Sequence, residues 1–360
     1  MTVPTSTTAT CGKALPGGIY CPSISFFKPT AVQELDLDTY TKHIEFLAKA
    51  GVHGVVVLGS TAEAVALTRD ERKQLIRVSK ETFAAVGNPG AIIAGTGSAQ
   101  STQEAIELSI EAASAGAEFA LVLPPSYYPG AMTPAAIQEF FEDVADASPI
   151  PVIIYSYPAV SSGIVMDTDL VRRLAKHPNI VGIKHTDHEV GRIAREASIK
   201  SYGSPFTIVG GASDYLLGAL AVGGKGAITG MANVTPRVIA KAYELYETGQ
   251  HAEAIELAGL VSRSEWALGK GGILGTKYAI QWSNSYPSTA ALARKPLPLV
   301  PEYTKQNIEQ ELAEIVALDR QLEKEGYVGL GFGALKATSN GKLNGKADLL
   351  DTIKQKVAAL

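Results

Sequence analysis

Ile180-Val181-Gly182-Ile183-Lys184-His185-Thr186-Asp187 opens with a short apolar run and turns polar at a lysine. A β-branched run without polar alternation reads as a strand packed on both faces. Burial on both faces implies a parallel sheet covered by helices. The lysine that ends the run has two readings. It snorkels to water along its aliphatic stem, or burial lowers its pKa and leaves a nucleophilic free amine.

The same pattern recurs along the chain. Apolar runs at 18–24, 54–58, 91–95, 119–123, 151–155, 180–184, 206–210 and 226–229 are each followed by a helical pattern, at 38–50, 68–84, 101–115, 133–147, 167–176, 189–200, 213–221 and 236–247. Capping residues support these helices: Asp36 or Asp38 before the first, the Thr68…Glu71 box before the second, and Pro134 in the first turn of the fourth. Eight strand–helix units in about 230 residues predict an α/β fold, a (β/α)8 barrel. The rival, a doubly wound open sheet, calls for a Gly-rich turn after the first strand, and Pro22-Ser23-Ile24-Ser25-Phe26 is not one. The expected organisation is a flexible leader (1–16), the barrel (17–248), a helical C-terminal extension (249–327, with helices at 251–266, 272–282 and 304–325) and a loose tail (328–360) that ends in a short helix at 347–359.

Composition narrows the function. The chain has 360 residues, 46% hydrophobic and 19% charged, with a formal net charge of -4, which gives no basic face for nucleic acid. Cys11 and Cys21 make neither a disulfide framework nor a zinc set. No apolar run reaches the ~20 residues that span a bilayer, and the Thr/Ser/Ala-rich start lacks both an apolar signal core and arginines. A cytoplasmic protein is expected, with no nucleic acid, membrane or metal partner.

In a barrel of this kind the chemistry lies at the carboxyl ends of the strands. Those ends carry Ser60 and Thr61, Tyr127 and Tyr128, Tyr155, Lys184, Gly210, Gly211 and Ser213, and Ile228 with Thr229. Each has a plain structural reading as a cap, a packing residue or a turn. As a set they fit one purpose: an amine that attacks a ketone, a phenol that relays protons, and a hydroxyl pair with nearby amides that holds a small carboxylate.

On these residues the sequence resembles the class I pyruvate-dependent aldolases, the superfamily of dihydrodipicolinate synthase and N-acetylneuraminate lyase. The resemblance covers about residues 17–320. It rests on Gly59-Ser60-Thr61-Ala62-Glu63 in place of Gly-[Ser/Thr]-Thr-Gly-Glu, on Tyr155-Ser156-Tyr157-Pro158 for Tyr-x-x-Pro, and on Gly182-Ile183-Lys184 for Gly-x-Lys. It implies that Lys184 forms a Schiff base with a 2-oxo acid, that Tyr155 shuttles protons, and that Ser60 and Thr61 bind the carboxylate. It also implies that Tyr128 completes the relay of a neighbouring subunit, and that Thr186, Gly211, Ser213 and Ile228 line the pocket. No cofactor is expected, and a homo-oligomer, tetramer or dimer, is.

The departures from the pattern narrow the reading further. The synthases carry an arginine shortly after Tyr-x-x-Pro; here the segment is Ala159-Val160-Ser161-Ser162-Gly163. This speaks against the synthases, and the run 124–130 with the stretch 148–156 resembles 4-hydroxy-2-oxoglutarate aldolases and 2-keto-3-deoxy sugar acid aldolases. Ala62 stands where the family has glycine, so the loop is expected to be reshaped if that position needs a positive φ. His185 is read as a substrate contact or a packing residue; His188 and Arg192 are read as solvated. The expected reaction is reversible cleavage of a 4-hydroxy-2-oxo acid or 2-keto-3-deoxy sugar acid to pyruvate and an aldehyde. The alternatives are a synthase-like condensation, a non-catalytic 2-oxo acid sensor, and a phosphate-binding barrel; Asp214, where an anion would sit, opposes the last.

Overall fold

The structure, a computed structural model, describes residues 13–97, 99–200 and 202–332. Eight parallel strands close into a barrel in chain order: β1 (Gly18–Pro22), β2 (Gly54–Val57), β3 (Ala91–Gly95), β4 (Phe119–Val122), β5 (Val152–Ser156), β6 (Ile180–His185), β7 (Thr207–Gly210) and β8 (Gly226–Ile228). The seam closes where β8 pairs with β1, Gly18 beside Gly226 and Tyr20 beside Ile228. Every strand residue is buried, which is why the runs show no polar alternation. Tyr20, Val56, Leu121, Ile153 and Val209 fill the inside of the barrel. Residues of the opposite parity, such as Val55, Ile92 and Ile154, pack outward against helices.

The barrel helices are α1 (Leu37–Ala50), α2 (Arg69–Val86), α3 (Thr102–Ala115), α4 (Pro134–Ala147), α5 (Thr168–Leu174), α6 (Val190–Ala197), α7 (Leu216–Ala221) and α8 (Pro236–Glu247). The starts follow local chemistry: Asp36, Ser101, Thr133 and Asp167 each accept a first-turn N–H, and Thr68 and Glu71 form a reciprocal capping box. Three helices are shorter than the sequence pattern predicts; α5 spans Thr168–Leu174 against the expected 167–176. α6 stops at Ala197, because the Glu196 carbonyl is taken by the Ile199 N–H and the Tyr202 hydroxyl. α7 starts only at Leu216, because Ser213 gives both its N–H and its hydroxyl to a side chain outside the barrel.

That side chain belongs to the C-terminal extension, α9 (His251–Ser283) and α10 (Glu302–Lys324). The two helices expected at 251–266 and 272–282 are both present; they meet at a kink at Gly272 (φ 54, ψ -149) and are numbered together as α9. Only glycine takes that conformation without strain. α10 reaches back to the barrel: Asp319 accepts the backbone N–H groups of Arg237 and Val238 at 2.8 and 3.1 Å. It thereby caps α8, which has no side-chain cap of its own. The expected tail begins at 328; its first residues are held, with Gly329 and Gly331 donating to the Ala50 and Gly51 carbonyls, both at 2.9 Å. The remainder, with the helix expected at 347–359, and most of the expected leader lie outside the described residues.

Candidate active site

Strand parity places Lys184 inside the barrel, between the outward-facing Ile183 and His185. Its register partner on β5 is Tyr155. The ammonium nitrogen lies 3.1 Å from the Tyr155 hydroxyl and 4.3 Å from the centre of its ring. Both residues are almost fully covered, at 4% and 5% exposure. Burial dominates the electrostatics of the amine and depresses its pKa from 10.5 to about 7; the charge of Glu265 opposes the shift. A fraction of the lysine is therefore a free amine at neutral pH. Burial pushes the Tyr155 phenol the other way, to about 12, against the effect of the Thr186 and Ser60 hydroxyls beside it. The phenol keeps its proton and can pass it on.

Ser60, Thr61, Tyr155, Thr186 and Lys184 thus converge at one end of the barrel. Thr186 Oγ1 makes no well-formed hydrogen bond of its own, yet it lies near enough to favour the phenolate. Gly211 makes this placement possible: a Cβ there would stand 2.0 Å from Thr186 Oγ1. Ile228 packs inside the barrel with Tyr155. The ring of Tyr157 leans on Tyr155 at 5.6 Å.

Ser60 to Ala62 form a single 3-10 turn after β2. The N–H groups that begin such a turn have no acceptor within it, which suits a carboxylate. The loop is held open by two residues with positive φ, Leu58 (66) and Glu63 (54). Non-glycine residues in this region carry strain that the surroundings must enforce. Ala62 is not one of them, so its backbone conformation does not call for glycine. Glu63 supplies the enforcement. Its carboxylate meets Lys277 of α9 at 2.6 Å and takes the Arg294 backbone N–H at 2.8 Å. Lys277, itself fully buried, also donates to the Ser25 carbonyl at 2.7 Å.

Arg192 stands elsewhere than the sequence reading has it, and His185 takes the packing role of its two readings. His185 does not face the pocket. Its ring points outward and meets Glu196 of α6 at 2.7 Å, and Asp187 lies beyond it at 3.7 Å. Burial alone would lower its pKa; the facing carboxylates of Asp187 and Glu196 outweigh that and raise it to about 9. His185 is a buried cation that ties β6 to α6. Arg192 is not solvated: its side chain is 11% exposed and lies 3.4 Å from Asp187 and 3.0 Å from Glu189. It also donates to the Met166 carbonyl. His188 is half out in solvent, as expected, with its ring 4.9 Å from that of Tyr215.

Tyr128 is exposed and stacks edge-on against Tyr127 at 5.0 Å. Among the described residues no hydrogen bond joins it to Lys184 or Tyr155. The residue absent from the sequence reading is Glu265, on α9. Its Oε2 accepts the Ser213 N–H and the Thr229 hydroxyl, both at 2.9 Å, together with the Ser213 hydroxyl. Both polar groups of Ser213 are therefore committed to Glu265. No motif marks this glutamate, which lies in an ordinary amphipathic helix far along the chain.

The dihydrodipicolinate synthetase family model matches residues 17–315. The chain belongs to this family. It is 40% identical over 315 residues to the L-threo-3-deoxy-hexylosonate aldolase of Hypocrea jecorina, spanning 86% of this chain and 99% of that one. It is 38% identical over 309 residues to the "Probable 4-hydroxy-2-oxoglutarate aldolase, mitochondrial" of Emericella nidulans, spanning 86% and 97%. Among solved structures, a dihydrodipicolinate synthase family protein from Coccidioides immitis superposes with a TM-score of 0.78 at 38% identity, covering 86% of this chain and 99% of that one. YagE, the E. coli K12 family member solved with pyruvate, gives 0.75 at 31%, covering 84% and 99%. No helix among the described residues is long and apolar enough to cross a membrane.

Proposed function

We propose that the chain is a class I aldolase, a carbon–carbon lyase that reversibly cleaves a 2-keto-3-deoxy sugar acid, or a 4-hydroxy-2-oxo acid of similar shape, to pyruvate and an aldehyde. One observation carries the reading: a buried lysine amine with its pKa near 7, 3.1 Å from a tyrosine hydroxyl inside a closed barrel. The relatives named for these two aldolase activities support it.

The residues fit the steps. The Ser60–Thr61 turn holds the substrate carboxylate and so orients the 2-keto carbon over Lys184. The amine adds to that carbon, and loss of water gives an iminium that draws electrons. Tyr155 gives its proton to the departing water, and the C3–C4 bond then breaks as the C4 hydroxyl returns a proton to the Tyr155 oxygen, releasing the aldehyde and leaving an enamine. Protonation at C3 and hydrolysis return pyruvate and the free lysine. Borohydride reduction in the presence of pyruvate is expected to fix the mass of the adduct on Lys184. Full turnover by Lys184→Ala would end the proposal.

Tyr128 enters as a residue of a neighbouring copy in a dimer or tetramer. Its exposed ring, paired with Tyr127 at the rim, supports that placement. Tyr128→Phe is then expected to lower kcat at unchanged KM, and light scattering should report more than one chain per particle. A cytoplasmic location is the expectation from the first residues, while the word mitochondrial in the names of two relatives favours the organelle. A fluorescent fusion of the full chain decides between the two.

A further inference from the structure

Glu265 has one oxygen committed and one free. Oε2 takes the three donors from Ser213 and Thr229. Oε1 accepts no hydrogen bond from any described residue and is not among the sealed, partnerless polar atoms. Ser213 follows β7 and Thr229 follows β8, so the carboxyl group spans the ends of these two strands. Burial raises its pKa, the hydrogen bonds from Ser213 and Thr229 oppose that rise, and its charge is felt at the Lys184 amine. Lys277 is engaged by Glu63, and Arg192 by Asp187 and Glu189. On the β5 side, 159–163 brings no positive charge.

We propose that Glu265 selects the aldehyde half of the substrate. This inference rests on the aldolase reading above. A carboxylate fixed by three donors offers its remaining oxygen as an acceptor only. The hydroxyl groups of a neutral, polyhydroxylated tail satisfy that acceptor. A tail that ends in a second carboxylate meets like charge in a partly desolvated site, where Arg192 and Lys277 are already paired with other carboxylates. The structure therefore favours a 2-keto-3-deoxy hexonic acid, which releases a neutral hydroxyaldehyde, over 4-hydroxy-2-oxoglutarate, which releases glyoxylate. Glu265 acts here as a specificity residue, separate from the amine that does the chemistry.

The test compares kcat/KM for the two acids, read as pyruvate release, in the wild-type protein and in Glu265→Gln. The wild type is expected to prefer the neutral tail by roughly a hundredfold, and Glu265→Gln to narrow that ratio by about tenfold, as the like-charge contact is lost. The borohydride–pyruvate adduct on Lys184 should persist in the variant. Equal use of both acids by the wild type, or a parallel fall for both in Glu265→Gln, would overturn the proposal. Absence of the Lys184 adduct in the wild type would instead overturn the aldolase reading beneath it. Should Glu265→Gln fail to fold, Thr229→Val, which frees one of the three bonds to Oε2, is expected to shift the ratio the same way; an unchanged ratio there counts against the assignment.

Discussion

Lys184 makes a choice between stability and reactivity visible at a single residue. Its pKa is about 7 in the folded chain against an ordinary 10.5. Between those values the unfolded chain binds the proton and the folded chain does not, so stability rises with pH across that window. Below about 7 the buried ammonium exerts its full penalty. Lys184→Met is thus expected to raise Tm near neutral pH, by stability on the order of a few kcal/mol. The gain should fade toward pH 10.5, as paired thermal melts from pH 6 to 10 would show. Activity should respond oppositely, with kcat/KM climbing through pH about 7 as the free amine forms and disappearing in the Met variant. Lys184, Tyr155, Ser60 and Thr61 were legible because they end apolar strands in short motifs. The direction of His185 was not: one step along a strand reverses the face, and nothing in the composition of the segment tells which of the two polar neighbours turns inward. Arg192 was missed for a related reason, since its partners Asp187 and Glu189 are near in sequence but are brought around it only by the turn into α6.

Elements meet at the carboxylate loop. The strained Leu58 and Glu63 are held in place because Glu63 is paired with Lys277 from α9. Removing one member of a buried pair leaves an uncompensated charge, which costs about 3–5 kcal/mol. Lys277→Met is expected to lower Tm accordingly and, as the loop relaxes, to raise KM for the 2-oxo acid more than it lowers kcat. Replacing Glu63 and Lys277 together with apolar residues should restore much of the stability and little of the affinity. Gly272 permits a similar check: at φ 54 and ψ -149, Gly272→Ala should cost about 1–3 kcal/mol in a chemical-denaturation curve. The strands and the first five helices could be read from the chain because their signals, apolar runs and capping side chains, are local. The ends of α6 and α7 could not, because Tyr202 and Glu265 set them from outside the segment.

For the molecule as a whole, the extension is part of the barrel in every sense that stability measures. Asp319 of α10 caps α8, Lys277 and Glu265 of α9 reach the loops after β2, β7 and β8, and Gly329 and Gly331 close over the end of α1. Heat capacity and circular dichroism should therefore report one cooperative transition, and a chain cut after residue 248 should not yield a stable barrel. The barrel itself was plain from eight repeated units. The reach of the extension into the pocket was not, because contacts between distant segments leave no periodic trace. The pairing of β1 with β8 has a last consequence, for the birth of the chain. A ribosome delivers β1 early and its neighbour β8 only after seven helices have emerged, so one edge of the nascent sheet waits with open backbone groups. Such a chain closes late and slowly, and in the interval it is a natural client for a chaperone.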